Sequence, residues 1–417
     1  MKILFLSDDF PPQSFGGAGI STYELAEGMH KAGHAVYVIT TCRKESGAGE
    51  SSYKGLTVFK IASNYDGRWR WYVSLYNRPV VAKVKDLLNN IQPDVVHINN
   101  IHHYLSYHCF KIAKQGGAVV VFTARDVMAF NFAKLATKRY RDHFDYHTTW
   151  YDHLTQAGKR YNPLRNFMIR WYLTYANKLF AVSDALREAL KENGIQNVTV
   201  THTGIDVSRY VVSPDETAQF KEKYGLGDKK VLLFAGRLSD VKGGRKIIEA
   251  MPKIAREVPD AVLVIAGTND QYAEQMKAEA VRLGFGSNVI VTGWIEPENM
   301  KVAYAAADVV LVPSLCFDSF PRVVLEAMAV GRPVIGTRYG GAPEIIVDGV
   351  TGYVVDPFNV ELMAEKITDL LSHPMKAQQF GEAGYQRVVK DFNMTDKVEE
   401  YISAYKQLLL EKSRVIK

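Results

Sequence analysis

Two carboxylates and two cations have the residue types and spacing for chemistry on a phosphorylated ligand. Asp318 lies eight residues before Glu326. Glu326 sits in RVVLEAMAV, a run otherwise apolar beyond Arg322, where a carboxylate is costly unless something pairs with it. It accepts well from two neighbouring hydroxyls, such as those of a ribose. Asp318 stands in the loop that feeds this run, so the two acids can flank one ligand, and a helix N-terminus beside them would favour a phosphate. An ordinary helix with a capped carboxylate is the competing reading. Arg237 and Lys242 stand five apart in GRLSDVKGG. A planar fork and a mobile point charge both suit a diphosphate, although two solvated surface cations would look the same.

The elements that must hold these groups are legible. Pro321 suits the first turn of a helix, and Gly331 and Pro333 suit its stop. Gly340, Gly341 and Gly349 let backbone approach a ligand closely. Arg237 follows the apolar run KKVLLFAG. Short apolar runs recur along the chain: ILFLS, AVYVIT, LTVFKI, DVVHI, AVVVFTA, KLFAVSD and VTVTHTG, then KKVLLFAGR, AVLVIAG, NVIVTGW, DVVLVPS, RPVIGT and GYVVD. Helical patterns fall between them, which implies parallel βαβ units in doubly wound sheets covered on both faces. Ser183 is placed to cap the helix DALREALKENG. A linker is expected from about Thr203 to Asp215, after which the pattern restarts. The expected domains are therefore 1–205 and 206–393, with one amphipathic helix over 394–417.

Gly16 and Gly17 fall between the first strand and first helix, where backbone N–H groups can approach a phosphate or a sugar; a tight turn needs the same residues. The run is not GxGxxG, which argues against a dinucleotide oxidoreductase. His97, Asn99, Asn100, His102 and His103 follow DVV, and Thr123-Ala124-Arg125-Asp126 follow AVVVF. Arg68-Trp69-Arg70-Trp71-Tyr72 interleaves cations with aromatic faces that stack on sugars and also suit membrane interfaces.

Composition bounds the rest. The chain has 417 residues, 47% hydrophobic and 23% charged, an ordinary two-domain globular balance. The formal net charge is +6. The segment Lys134–Lys178 alone holds nine Lys/Arg and three Asp/Glu, so it matches the excess of the whole chain. That points to an anionic lipid or acceptor, or to a solvated face. With so modest a total, nucleic acid is not an expected partner. Cys42, Cys109 and Cys316 form no close pair and no metal spacing, which fits free thiols in a reducing compartment. The N-terminal run reads as a strand and no run approaches a membrane span. A cytoplasmic protein is expected, peripheral at the inner membrane face.

The stretch Asp318-x7-Glu326, LEAMAVGRPV and Gly340-Gly341-Ala342-Pro343-Glu344 resembles the signature of glycosyltransferase family 4, retaining enzymes of the GT-B fold. The family's first acid is usually Glu, and here it is Asp318. Its GR-x4-K-G element is matched by Arg237 and Lys242. The resemblance implies two Rossmann-like domains facing across a cleft, with the C-terminal helix crossing back to the N-terminal, acceptor-binding domain. It implies a hexosyltransferase-like enzyme of cell-surface glycan or glycolipid assembly, with a nucleotide-sugar as substrate and no cofactor. On that pattern Glu326 takes the ribose, Arg237 and Lys242 the diphosphate, Asp318, Phe320 and Pro321 the sugar and phosphate, and Gly16 and Gly17 the donor phosphates. The family often has His where Arg125 stands, near the reacting sugar. His97 and His102 are candidates to replace it, and Trp69 and Trp71 belong to the expected acceptor side. No Asp-x-Asp occurs, so no metal is expected and the cations must neutralise the diphosphate. A binding protein without transfer activity is the alternative that Asp318 and Arg125 raise.

Overall fold

The computed structural model describes residues 1–13, 16–268 and 270–416. Phe15 of the first glycine-rich turn lies outside them. The chain forms two compact units, Met1–Gly204 with Met394–Lys417, and Ile205–Asn393.

The strands of the first unit are β1 (Lys2–Leu6), β2 (Ala35–Cys42), β3 (Gly49–Tyr53), β4 (Leu56–Ala62), β5 (Val95–Ile98), β6 (Val119–Ala124), β7 (Lys178–Ala181) and β8 (Val198–Val200). They pair in the order β3-β4-β2-β1-β5-β6-β7-β8, and every pairing but β3–β4 is parallel. The second unit holds β9 (Lys230–Arg237), β10 (Ala261–Thr268), β11 (Val289–Gly293), β12 (Val309–Val312), β13 (Val334–Thr337) and β14 (Gly352–Val355). Its order is β11-β10-β9-β12-β13-β14, parallel throughout. The central strands β1, β5, β6, β12 and β13 are buried along most of their length, as an apolar run covered on both faces must be.

Each sheet reverses its winding once. In the first unit β1 lies between β2 and β5, and in the second β9 lies between β10 and β12. The loops leaving those strand pairs diverge to opposite faces, which opens a crevice at the carboxyl edge.

Five helices carry or frame the groups of interest: α1 (Gly17–Lys31), α2 (Trp150–Ala157), α3 (Arg165–Leu173), α4 (Arg322–Ala329) and α5 (Met394–Ile416). Elsewhere the Ser183 hydroxyl accepts from the Leu186 amide and caps the helix Asp184–Glu192. α5 packs on α1 and β6, and its Val398, Tyr401, Ile402 and Tyr405 belong to one core with Ile3, Phe5, Val95 and Val121. The second core joins Leu232, Phe234, Leu263 and Ile265 of the sheet to Ile247, Met251, Met363 and Ile367 of its helices.

β3 is not expected from the sequence. Its GESSY is polar on both faces and sits at the sheet edge, where neither periodicity nor burial marks a strand. No helix among the described residues is long and apolar enough to cross a membrane.

Candidate active site

The second unit brings its four charged candidates to one edge of the sheet. Arg237 ends β9, and Lys242 comes shortly after it in a short 3-10 turn, Asp240–Lys242. Asp318 lies in the loop after β12, and Glu326 is on α4 behind that loop. The two loops are bonded together, with the Leu315 amide donating to the Val241 carbonyl at 2.8 Å. They leave the strands on either side of the reversal in winding.

Lys242 Nζ donates to Asp318 Oδ2 at 2.5 Å, and Ser314 Oγ lies 3.2 Å from the same oxygen. Burial works to lower the Lys242 pKa, but the Asp318 carboxylate more than offsets it, so the amine is held above its usual value and stays charged. Arg237 is exposed and close enough to press against that charge. The loop therefore stores a cation against its own acid, beside a second cation open to solvent.

Glu326 is also answered within the chain. Arg322 Nε donates to Oε1 at 3.0 Å, one helical turn away, and the Tyr304 hydroxyl donates to Oε2 at 2.8 Å. Burial, then the Glu326 charge, push the Tyr304 pKa far up, which keeps it a donor. Arg322 also reaches the Tyr210 hydroxyl at 3.3 Å. Neither Arg322 nor Tyr304 is among the residues that the sequence singles out. Arg322 stands four before Glu326, a spacing that pairs opposite charges on a helix; Tyr304 gives no such signal.

Pro321 caps α4 rather than occupying its first turn. The Phe320 ring packs on Phe392 at 5.6 Å and is buried, so only its backbone faces the loop. Gly340 does not hold space for a ligand. Its φ is +74°, and a Cβ there would sit 2.6 Å from the Asp318 amide nitrogen and overlap the Asp318 carbonyl oxygen. It is glycine so that two loops can touch. The Gly341 amide then donates to that carbonyl at 2.8 Å, which fixes Asp318 from behind.

In the first unit, Gly16 caps α1 in an extended conformation and Gly17 opens it. The Arg125 guanidinium donates to Asn99 Oδ1 at 3.0 Å and lines a small cavity with Ser21, Lys397 and Tyr401. His97 and Trp71, expected on an acceptor side, have no accessible ring face. His97 is fully buried in β5 between Thr123 Oγ1, 2.7 Å from Nε2, and the Tyr405 hydroxyl, 2.6 Å from Nδ1. Burial, with Arg125 nearby, holds its pKa well down, so the neutral ring registers α5 on the sheet. Trp71 packs on Phe132 and Ala157. Trp69 is exposed.

His102 is almost buried and pairs with Asp126, Nε2 to Oδ2 at 3.2 Å. Burial opposes the Asp126 charge, but His102 and the Met128 amide hold its pKa below the carboxylate range. Asp8, just past β1, is another residue that the sequence does not single out. It accepts from the amides of His103, Tyr104 and Leu105 at 2.6, 2.9 and 2.5 Å, and so stitches the loops after β1 and β5. Burial raises its pKa to about 6 against the pull of His102 and those amides.

Residues 216–387 match the family model of glycosyl transferases group 1, and residues 15–209 that of glycosyltransferase family 4. The chain belongs to glycosyltransferase family 4. A GDP-mannose-dependent alpha-(1-6)-phosphatidylinositol monomannoside mannosyltransferase of Mycolicibacterium smegmatis is 38% identical over 187 residues, 43% of this chain. The match spans only about half, 49%, of that relative. An uncharacterized glycosyltransferase of Methanocaldococcus jannaschii is 27% identical over 422 residues, covering 97% of this chain and 98% of its own. In three dimensions the family 4 chain is similar to sucrose-phosphate synthase from Thermosynechococcus elongatus. The TM-score is 0.79 at 21% identity, over 99% of this chain and 100% of that one. This likeness identifies the fold as GT-B. Among these relatives nothing favours the binding-protein alternative.

Proposed function

We propose that the protein moves a sugar from a nucleotide-sugar donor to a glycan or glycolipid acceptor, with retention of configuration and without a required metal. One observation carries the reading: Arg237, Lys242 and Asp318 converge at the carboxyl edge of the second sheet, where its winding reverses and a ligand crevice opens. Arg237 and Lys242 neutralise the diphosphate, and Lys242 exchanges Asp318 for a phosphate oxygen as the donor enters. Asp318, so released, takes a sugar hydroxyl with the backbone of Phe320 and Pro321. Glu326 takes the ribose hydroxyls. The role of the first unit is acceptor binding. In the reaction the acceptor oxygen bonds the anomeric carbon on the face the phosphate leaves. The departing phosphate oxygen takes the acceptor's proton. The two cations stabilise charge that grows on that oxygen, so they act most in the transition state.

The setting we propose is cytoplasmic, at the inner face of a membrane. The three cysteines are unpaired and buried, as in a reducing compartment. The mycobacterial relative is named for a phosphatidylinositol-based acceptor. Nucleoside diphosphate release from GDP-, UDP- and ADP-sugars, with and without chelator, tests the proposal. One donor should be turned over equally in both, and Lys242→Ala should lower turnover about a hundredfold or more. Turnover that a chelator abolishes, or that Lys242→Ala leaves intact, would overturn it.

A further inference from the structure

The outer faces of α2 and α3 are apolar where water should favour polar side chains. Trp150 is 68% exposed, Tyr151 62%, Leu164 65% and Phe167 62%. The exposed Leu164, which caps α3, and Phe167 and Trp171 within it recur every three or four residues, which puts them on one side of the helix. Ile169, Tyr172 and Leu173 bury the other side. A helix apolar on both sides is one whose outer side also has something to meet. α2 touches it through Asn166 Nδ2 and His153 Nε2, 3.2 Å apart. The Tyr72 hydroxyl donates to the Tyr161 carbonyl at 3.3 Å, which brings the neighbouring, exposed Trp69 to the same region.

The charge on this face is mainly positive; its acids include Asp66, within electrostatic reach of Arg160, and Asp152 of α2, which Arg139 pairs. From His153 to Lys178 the sequence holds Lys159, Arg160, Arg165, Arg170 and Lys178 and no Asp or Glu. Arg165 turns inward to the carbonyls of Met128 and Asn131. Lys159, Arg160 and Arg170 are exposed among the aromatic and aliphatic side chains. A second copy meeting this face about a two-fold axis would bring like cations together. An anionic lipid surface answers both features, because phosphates take the cations and the layer beneath takes the rings.

We infer that the outer face of α2 and α3 docks the first unit on an anionic bilayer. Trp150, Leu164 and Phe167 enter the headgroup layer, and Lys159, Arg160 and Arg170 meet lipid phosphates. The inference deepens the membrane setting proposed above by naming the surface that makes the contact.

Co-flotation of the full chain with vesicles tests it, comparing phosphatidylcholine alone with phosphatidylcholine carrying about one third phosphatidylglycerol. The chain should float with the anionic vesicles at least roughly tenfold better, and less so as salt rises. Leu164→Ser with Phe167→Ser should lower partition more than about tenfold. Lys159→Glu with Arg160→Glu should lower it by at least about fivefold per residue. An unchanged thermal midpoint shows that each variant is folded. Equal flotation on both vesicles, or variants that float like the wild type, overturns the inference. So does a wild type that stays unbound, including one whose mass in light scattering shows the face pairing two copies. Nucleoside diphosphate binding, measured on the same samples, reports on the transferase reading separately, so either can fail alone.

Discussion

Replacing Glu326 separates its structural role from its role on a ligand. The Arg322 and Glu326 side chains are 7% and 15% exposed, and they meet at 3.0 Å. Glu326→Ala strips a nearly buried guanidinium of this carboxylate, although the Tyr210 hydroxyl at 3.3 Å stays in reach. It also removes the acceptor of the Tyr304 hydroxyl. Breaking a buried pair from one side costs about 3–5 kcal/mol, and the residual exposure argues for about 3. For a unit of this size that is a fall of roughly 6–12 °C in the midpoint of the Ile205–Asn393 transition. Glu326→Gln keeps an oxygen for one donor and should cost only about 1 kcal/mol. Both variants lose the carboxylate that would accept from a ribose. A nucleoside diphosphate at a hundred times its dissociation constant adds about 2.7 kcal/mol to the wild type, and much less to either variant. Scanning calorimetry with and without the nucleotide reads both effects. An alanine variant that melts with the wild type would refute the buried-pair argument. Full stabilisation of the glutamine variant by nucleotide would refute the ribose contact and leave the pair intact.

Gly340→Ala should cost about 3 kcal/mol and abolish nucleotide binding, because its Cβ meets the Asp318 backbone. Gly349→Ala has a similar φ, +72°, but open space, so it should cost only about 1–2 kcal/mol and bind normally; urea titration distinguishes them. Asp8 and His103 oppose each other in their effect on acid stability. The raised Asp8 pKa, about 6, contributes stability below about pH 4 that is lost as pH rises through 6. The His103 pKa, lowered to about 3 mainly by burial, contributes stability above about pH 6.5 that is lost as pH falls toward 3. Asp8→Asn should therefore unmask a profile that rises between about pH 4 and 6, seen in midpoints across that range. Asp318→Glu, which restores the family's usual acid, moves the carboxylate by one methylene against Lys242. A gain in turnover would mark Asp318 as a handicap, and a loss would mark it as fitted to this chain's donor.

The second unit's site was legible because its parts are local. Asp318 and Glu326 share one strand–loop–helix step, and Arg237 and Lys242 share one turn. What spacing could not say is which partners these groups keep without a ligand. The Lys242–Asp318 contact joins residues 76 apart, and only the order β9-β12 makes them neighbours. The first unit was harder. Asp8 owes its place to amides 95 to 97 residues away, and nothing in a single acid after a strand announces that. His97 looked like chemistry because a histidine ended a strand. Its ring is consumed by Thr123 and by Tyr405, 308 residues on. Trp71 sat beside Trp69 in one aromatic run, but the short helix Arg70–Val73 turns one inward and leaves the other out.

The first unit is not finished by its own first 204 residues. Val398, Tyr401 and Tyr405 complete its core, and they belong to a segment translated after the whole of the second unit. At about 5–20 residues per second, the ribosome takes roughly 10–40 s to pass from residue 205 to residue 393. During that interval the seat of α5, from Phe5 and Val121 to the ring of His97, is apolar surface without its cover. The contiguous second unit can fold as it emerges, while the first must wait. The newborn chain is thus most prone to aggregate in the half that is made first.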